Sequence, residues 1–289
     1  MERSRGHQRQ RRATHAGTWY DADCTNLSAQ IRRWIHRASR VCEGRLKALI
    51  CPKRVFLLGP SHYKYFKGVA LPSDKCSVYA TPLGDLPLDT DTLDALRQSG
   101  AFSEVSLAED EEEHSIELML PFVRYIFSEG VKIVPMIVGD LKSLDDCRKF
   151  ADLLLNYFVE DGLRRCAIQE NLFIISSDFC HWGPRYSYFY LEEPQPEVPI
   201  HATIEKMDRK AVKFITEHQG QGFYDYLEAT GLSVCGRHPI SLFLLLLERA
   251  SANQEDKFST QLIAYSQSSQ AQSRNDSSVS YAALCTTRV

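Results

Sequence analysis

No two cysteines in this chain are spaced C-x-x-C, although nine are present, at Cys24, Cys42, Cys51, Cys76, Cys147, Cys166, Cys180, Cys235 and Cys285. Their odd number and scatter argue against a zinc knuckle or a disulfide scaffold and for reduced intracellular thiols. A long apolar run is also missing. The longest, Leu242 to Leu247, falls far short of the roughly 18 residues of a membrane span and reads as a buried helix. Neither sign of charge is in excess: a formal net charge of −3 over 289 residues gives no overall field to attract nucleic acid or an anionic membrane. Neither an internal repeat nor a long linker interrupts the chain. Basic character is local, with five arginines in the first 13 residues and no apolar stretch of a signal peptide beside them. Residues 1–13 therefore read as a disordered basic tail ahead of one α/β domain at 14–289, cytoplasmic in setting, with nuclear targeting by the tail as the lesser alternative.

What is present alternates between two periods. Leu27, Ile31, Trp34 and Ile35 follow Thr25-Asn26 at helical spacing. Apolar strands are predicted at Leu46 to Cys51 and Val55 to Leu58. Helices are predicted at Asp91 to Gln98 and His114 to Phe127, the second with Pro121 opening or kinking it. A strand from Lys132, a helix from Ser143 and a strand from Asn171 come next. NLFII is apolar on both faces, as a central parallel strand covered by helices requires. Three helices follow, over about 200–218, 223–229 and 239–252, and the chain ends in two strands. This order predicts a mainly parallel mixed sheet flanked by helices.

Open sheets of this kind bind ligands beyond the carboxyl ends of their strands. Two strands end there in histidine: VFLL runs into Gly59-Pro60-Ser61-His62, and LFIIS into Ser177-Asp178-Phe179-Cys180-His181. Cys235 lies just ahead of a helix that Pro239 is suited to open, where the helix end and Arg237 favour a thiolate, a nucleophile or soft metal ligand. Each has a plainer reading: His62 as a turn residue, Asp178 as a turn cap, Trp182 as packing, Cys235 as a small hydrophobe. Convergence of two imidazoles, a carboxylate and a thiol on strand ends and a helix start favours one shared cavity. In EDEEEHSIE, His114 and Glu117 sit at i and i+3, but no second histidine completes H-E-x-x-H, and Asp110 to Glu112 read as a solvated helix start. The loop SQSSQAQSRNDSS offers hydroxyls and amides and is explained equally well as a polar loop.

THAGTWY (Thr14 to Tyr20), LGPSH (Leu58 to His62), DEEEHSIE (Asp110 to Glu117), SSDFCHWG (Ser176 to Gly183), CGRHPI (Cys235 to Ile240) and YSQSSQ…NDSSVSYAA (Tyr265 to Ala283) resemble, in order, the Memo family, mediators of ErbB-receptor-driven cell motility. The resemblance implies a fold similar to the class III non-haem iron dioxygenases and a strand-end pocket binding copper or iron through two histidines and a cysteine, with redox activity. It also implies a cytosolic effector acting between phosphorylated receptor tyrosine kinases, or their adaptors, and cytoskeletal regulators. By motif, metal ligands fall on His62 and Cys235, with His181 and Asp178 beside them as acid-base candidates. Trp19, Arg237 and Arg274 are the candidate ligand or peptide contacts, and nothing implies nucleic acid binding or membrane insertion.

This chain departs from the family at one place. Family members carry an A-P-H-A-G-Y segment and a helix between the strand ending here at Cys51-Pro52 and the strand beginning at Val55, and here only Lys53-Arg54 intervene. The first ligand histidine is absent, and His15, in the separate H-A-G motif, does not replace it. Parallel strands need a crossover of roughly a dozen residues, so the two runs form a hairpin, form one bent strand, or lose one member from the sheet. A skipped coding segment accounts for the junction. With one of three protein ligands gone, copper or iron binding is expected to be weak or lost. Dioxygenase chemistry is disfavoured further, because a cysteine stands where those enzymes use a carboxylate.

Overall fold

The structure, a computed structural model, describes residues 9–38, 54–127, 130–159, 171–192, 194, 197–252 and 257–289. The predicted strand at Leu46 to Cys51, and with it the shortened junction, lies outside them. In chain order the elements are β1 (Arg9–Arg11), α1 (Cys24–Ala38), β2 (Arg54–Pro60), β3 (Val69–Leu71), β4 (Cys76–Tyr79), β5 (Leu86–Pro87), α2 (Thr90–Gln98), β6 (Ser103–Glu104), α3 (Leu107–Glu112), a 3-10 turn (Glu117–Met119), α4 (Leu120–Phe127), β7 (Lys132–Val138), α5 (Leu144–Phe158), β8 (Asn171–Ile175), β9 (His181–Trp182), α6 (Ile200–Thr216), α7 (Gly220–Thr230), α8 (Arg237–Ser251), β10 (Phe258–Gln267) and β11 (Ser278–Arg288). They fall into two compact units, Met1–Leu141 with Asn156–Ser176, and Lys142–Leu155 with Ser177–Val289.

The first unit is built on a mixed sheet ordered β6-β3-β7-β2-β8. β7, β2 and β8 run parallel, and β3 joins β7 antiparallel. β2 and β7 are buried after their first residues, along the VFLL and IVPMIV runs, and short β3 is buried throughout. β8 departs from the expected central position: among the described residues it pairs with β2 alone, and it is half-buried. Its apolar side chains meet β2, α5 and α4. Phe173 stacks on Phe56 at 4.6 Å and meets Phe158 edge-on, while Leu172 and Ile174 line an apolar groove with Phe122, Val123 and Ile126 of α4. Pro121 sits in the first turn of α4, where a missing N–H costs nothing. His114 to Ile116 are not helical, so α4 and its 3-10 lead-in begin later than the sequence suggests.

A small second sheet, β1-β4-β5, corrects the reading of the N-terminus. Residues 9–13 are part of the fold, β1 runs parallel to β4, and Arg11 is 1% exposed.

In the second unit, α6, α7 and α8 accompany an antiparallel sheet ordered β10-β11-β9. Here the sheet is not parallel, because β10 and β11 form one long hairpin whose turn is the Ser/Gln/Asn-rich loop. The five leucines of the LFLLLL run are buried along α8 as predicted, with Phe243 between them half-buried. Helix α8 starts at Arg237, two residues before Pro239, with Gly236 as its N-cap. Pro239 still falls in the first turn, among N–H groups that have no helical partner. Among the described residues no helix is long and apolar enough to cross a membrane, and Cys24, Cys76, Cys147, Cys180, Cys235 and Cys285 are free thiols.

Candidate functional site

The candidate residues fall into two clusters, one in each unit. In the first, β2 delivers His62 at its carboxyl end, where the buried carboxylate of Glu113 meets it. Glu113 accepts the His62 backbone N–H at 2.5 Å and those of Tyr63, His114 and Ser115 at 3.0–3.2 Å. The His62 ring contributes a further contact, Nδ1 to Oε1 at 3.0 Å. A carboxylate only accepts, so Nδ1 carries the proton and Nε2 is the nitrogen with ligand character. Burial opposes the charge on Glu113, but the His62 ring and these N–H groups hold its pKa down to about 2. Gly59 allows the close approach: a Cβ there would lie 2.5 Å from Ser115 Oγ.

Stacked on His62 is His114, with ring centroids 4.4 Å apart, and Trp19 lies at the same distance on His114. Trp19 is 58% exposed. Burial, together with the nearby His62 and His15, lowers the pKa of His114. The loop carrying Trp19 is anchored by Glu117, fully buried, which accepts the His15 backbone N–H at 2.8 Å and Tyr20 OH at 2.9 Å and faces His15 Nδ1 at 2.9 Å. Behind it, Arg11 bonds Glu117 at 2.7 Å, Asp110 Oδ1 at 2.9 Å and the Asp110 and Glu113 carbonyls. Tyr79 OH donates to Asp110, and Arg12 forks onto Glu111. The acidic run is therefore not a solvated helix start. Asp110, Glu111, Glu113 and Glu117 are buried and paired, while Glu112 faces solvent.

The second cluster joins Asp178, His181 and Cys235, whose ligand-type atoms lie within 4.8 Å of one another. Strand β11 holds one side of the carrying segment, through Phe179 N–H to Ser280 O and Ser280 N–H to Cys180 O. The stretch before α8 holds the other. The Asp178 N–H points at Cys235 Sγ at 3.1 Å, and the Gly236 N–H bonds Ser177 Oγ at 3.0 Å. His181 Nδ1 lies 2.8 Å from two carbonyl oxygens, of Phe179 and Ser233. Carbonyls only accept, so this nitrogen too carries the proton, and Nε2 is turned to Asp178 Oδ2 at 3.9 Å. Four-coordinate ions bind imidazole at about 2.0–2.1 Å and thiolate at about 2.3 Å, which sets neighbouring ligand atoms roughly 3–4 Å apart. An imidazole, a thiol and a carboxylate within 4.8 Å of one another could hold a metal ion, and the donor set does not select which.

Other expected contacts are engaged elsewhere. Arg237 is paired with Glu228, and the Arg274 guanidinium lies over the Phe189 ring at 5.8 Å. Residues overlooked in the sequence are Glu113, Arg11, Ser233 and Asp208, while Glu117 was weighed only as part of an incomplete H-E-x-x-H motif. Asp208 on α6 accepts the Cys180 N–H at 3.2 Å and Tyr265 OH at 2.8 Å, and burial raises its pKa to about 6. Its signal was present: a carboxylate four residues after Ile204, inside the apolar stripe of a helix.

A family model described as Memo-like protein matches residues 44–285. Protein MEMO1 of Danio rerio is 36% identical over 299 aligned positions, covering 94% of this chain and 96% of the relative. Protein MEMO1 of Homo sapiens is 34% identical with the same coverage. Protein memo-1 homolog of Caenorhabditis elegans is 36% identical over 94% of this chain and 81% of its own length. The Danio alignment is longer than this chain although it covers about 272 of the 289 residues, so about 27 aligned positions have no counterpart here.

Proposed function

Because the chain belongs to the Memo-like protein family, we propose that it is a signalling effector acting between receptor tyrosine kinases, or their adaptors, and the regulators of the cytoskeleton in cell motility. A copper- or iron-binding, redox-active centre weakened in this chain completes the reading. The observation that carries it is the Asp178, His181 and Cys235 cluster, with His181 held in the tautomer a metal needs. When bound, copper or iron would supply one-electron chemistry. Cys235 would hold it through sulfur, His181 through Nε2 and Asp178 through oxygen. Family resemblance assigns one more ligand to His62, whose Nδ1 is committed to Glu113 in the same sense.

Support for a weakened centre comes from the missing A-P-H-A-G-Y segment and the roughly 27 unmatched positions. Equilibrium dialysis with copper and with iron is expected to give weak binding that Cys235→Ser abolishes and His62→Ala reduces. A tight one-to-one site in the unaltered chain would overturn the weakened reading. The partner half is tested with receptor-tail peptides: binding is expected to need phosphotyrosine, and equal binding without phosphate would dispose of it.

A dioxygenase-like oxidoreductase is the second reading. The carboxylate of Asp178 beside His181 favours it. Oxygen uptake with iron(II) and a catechol panel separates the two.

A further inference from the structure

We infer that Ser233 is the positioning residue of the Asp178, His181 and Cys235 centre. It fixes His181 at the backbone and at the ring together. The inference rests on reading that cluster as a metal centre. Ser233 Oγ accepts the His181 backbone N–H at 2.8 Å and lies 3.1 Å from the His181 carbonyl, to which it donates. One hydroxyl thus takes both main-chain groups of His181, as a partner strand would. The Ser233 carbonyl then accepts from His181 Nδ1 at 2.8 Å.

Each contact has a consequence for the ring. The two hydroxyl bonds set where the imidazole is attached, and the Ser233 carbonyl, together with that of Phe179 at the same distance, sets which nitrogen is protonated. Nε2 is left with its lone pair, turned to Asp178 at 3.9 Å. Two residues further on, Cys235 Sγ receives the Asp178 N–H at 3.1 Å. The short piece Ser233 to Cys235 therefore carries the thiol and sets the imidazole on one frame, so shifting it would change both ligands together. Groups that orient ligand histidines in this way typically cost 10–100-fold in metal affinity when removed, as a rough guide.

The test uses the full chain with 15N-labelled histidine, first free of metal. His181 is expected to show one tautomer, with the proton on Nδ1. A mixture, or a proton on Nε2, in the unaltered protein would overturn the inference, and this spectrum decides even where a variant fails to fold. Ser233→Ala keeps the 233 carbonyl but releases the His181 backbone from the hydroxyl, so the ring is expected to move off its carbonyl acceptors, bringing in the second tautomer and weakening iron(II) and anaerobic copper(I) binding by about 10–100-fold. Ser233→Thr, which keeps the hydroxyl, is expected to restore both. An alanine variant with the native tautomer and native affinity sinks the proposal. If the unaltered chain binds neither metal while Ser233→Ala still scrambles the tautomer, the positioning role stands and the metal reading falls.

Discussion

Arg11 shows how much one side chain carries. It is 1% exposed, and its guanidinium satisfies Asp110, Glu117 and two carbonyls. Burying three charges is costly, and breaking such a set by removing one member typically costs about 3–5 kcal/mol because the others stay buried and uncompensated. Arg11→Ala is therefore expected to destabilise the protein by about 3–5 kcal/mol in urea unfolding, well above the effect of Arg12→Ala, whose side chain is mostly exposed. Glu117 gives the matching pH dependence. Burial alone would raise its pKa, but Arg11 and His15 hold it below the ordinary 4.5. The folded state then binds fewer protons there than the unfolded state, so its contribution is present above pH 4.5 and is lost as pH falls below that value. The stability difference between the native protein and Glu117→Gln should narrow as pH drops from 5 toward 3, in about that window. A gap that stays constant would contradict this. None of it was legible in composition. Five arginines in thirteen residues read as a disordered tail, and Asp110 to Glu112 read as a solvated helix start, because sequence spacing does not reveal that two remote charged segments neutralise each other.

Elements defined by apolar period were legible, and those defined by a single hydrogen bond were not. Helix α8 and strands β2 and β7 lie where Leu242 to Leu247, Val55 to Leu58 and the run after Lys132 put them. Strand β9 is only two residues long, and no period announces it. It exists because Val279 and Ser278 of β11 pair with His181 and Trp182, and because Gly183, at φ +98°, turns the chain away immediately afterwards. A Cβ at position 183 would collide with the Asp276 carbonyl oxygen and approach Ser277 Cα to 3.0 Å. Gly183→Ala combines that clash with a disfavoured backbone and is expected to cost about 2–4 kcal/mol. Because β9 carries His181, the same variant should broaden the His181 ring signals while leaving those of His15 and His62, in the first unit, unchanged. Equal broadening of all three would mean general loosening rather than local displacement. The candidate site was legible to the same degree: SDFCH and CGRH were found as motifs, but the serine that joins them was not, since its role depends on backbone groups 52 residues away.

At the scale of the whole chain, each compact unit contains its own candidate cluster, and each fixes a histidine by giving Nδ1 an acceptor, Glu113 for His62 and the Phe179 and Ser233 carbonyls for His181. That shared device puts the proton on Nδ1 in both and leaves Nε2 as the nitrogen with ligand character. Relatives that cover 94% of this chain extend over about 27 positions it does not have. The family resemblance, not the alignment length, places a loss at the junction after Pro52, where it would put a first ligand histidine. Loss of an inner ligand should therefore limit metal binding more than any change in the surviving groups. Inserting the family's A-P-H-A-G-Y segment with its helix between Pro52 and Val55 is expected to raise copper or iron affinity by more than the roughly 10–100-fold that outer-shell changes produce. The same insertion with alanine in place of its histidine should restore the length of the crossover without restoring that affinity, as read by dialysis and metal analysis. Should the alanine form bind as tightly as the histidine form, the missing segment would matter for the geometry of the junction, and the idea of a lost ligand would have to be abandoned.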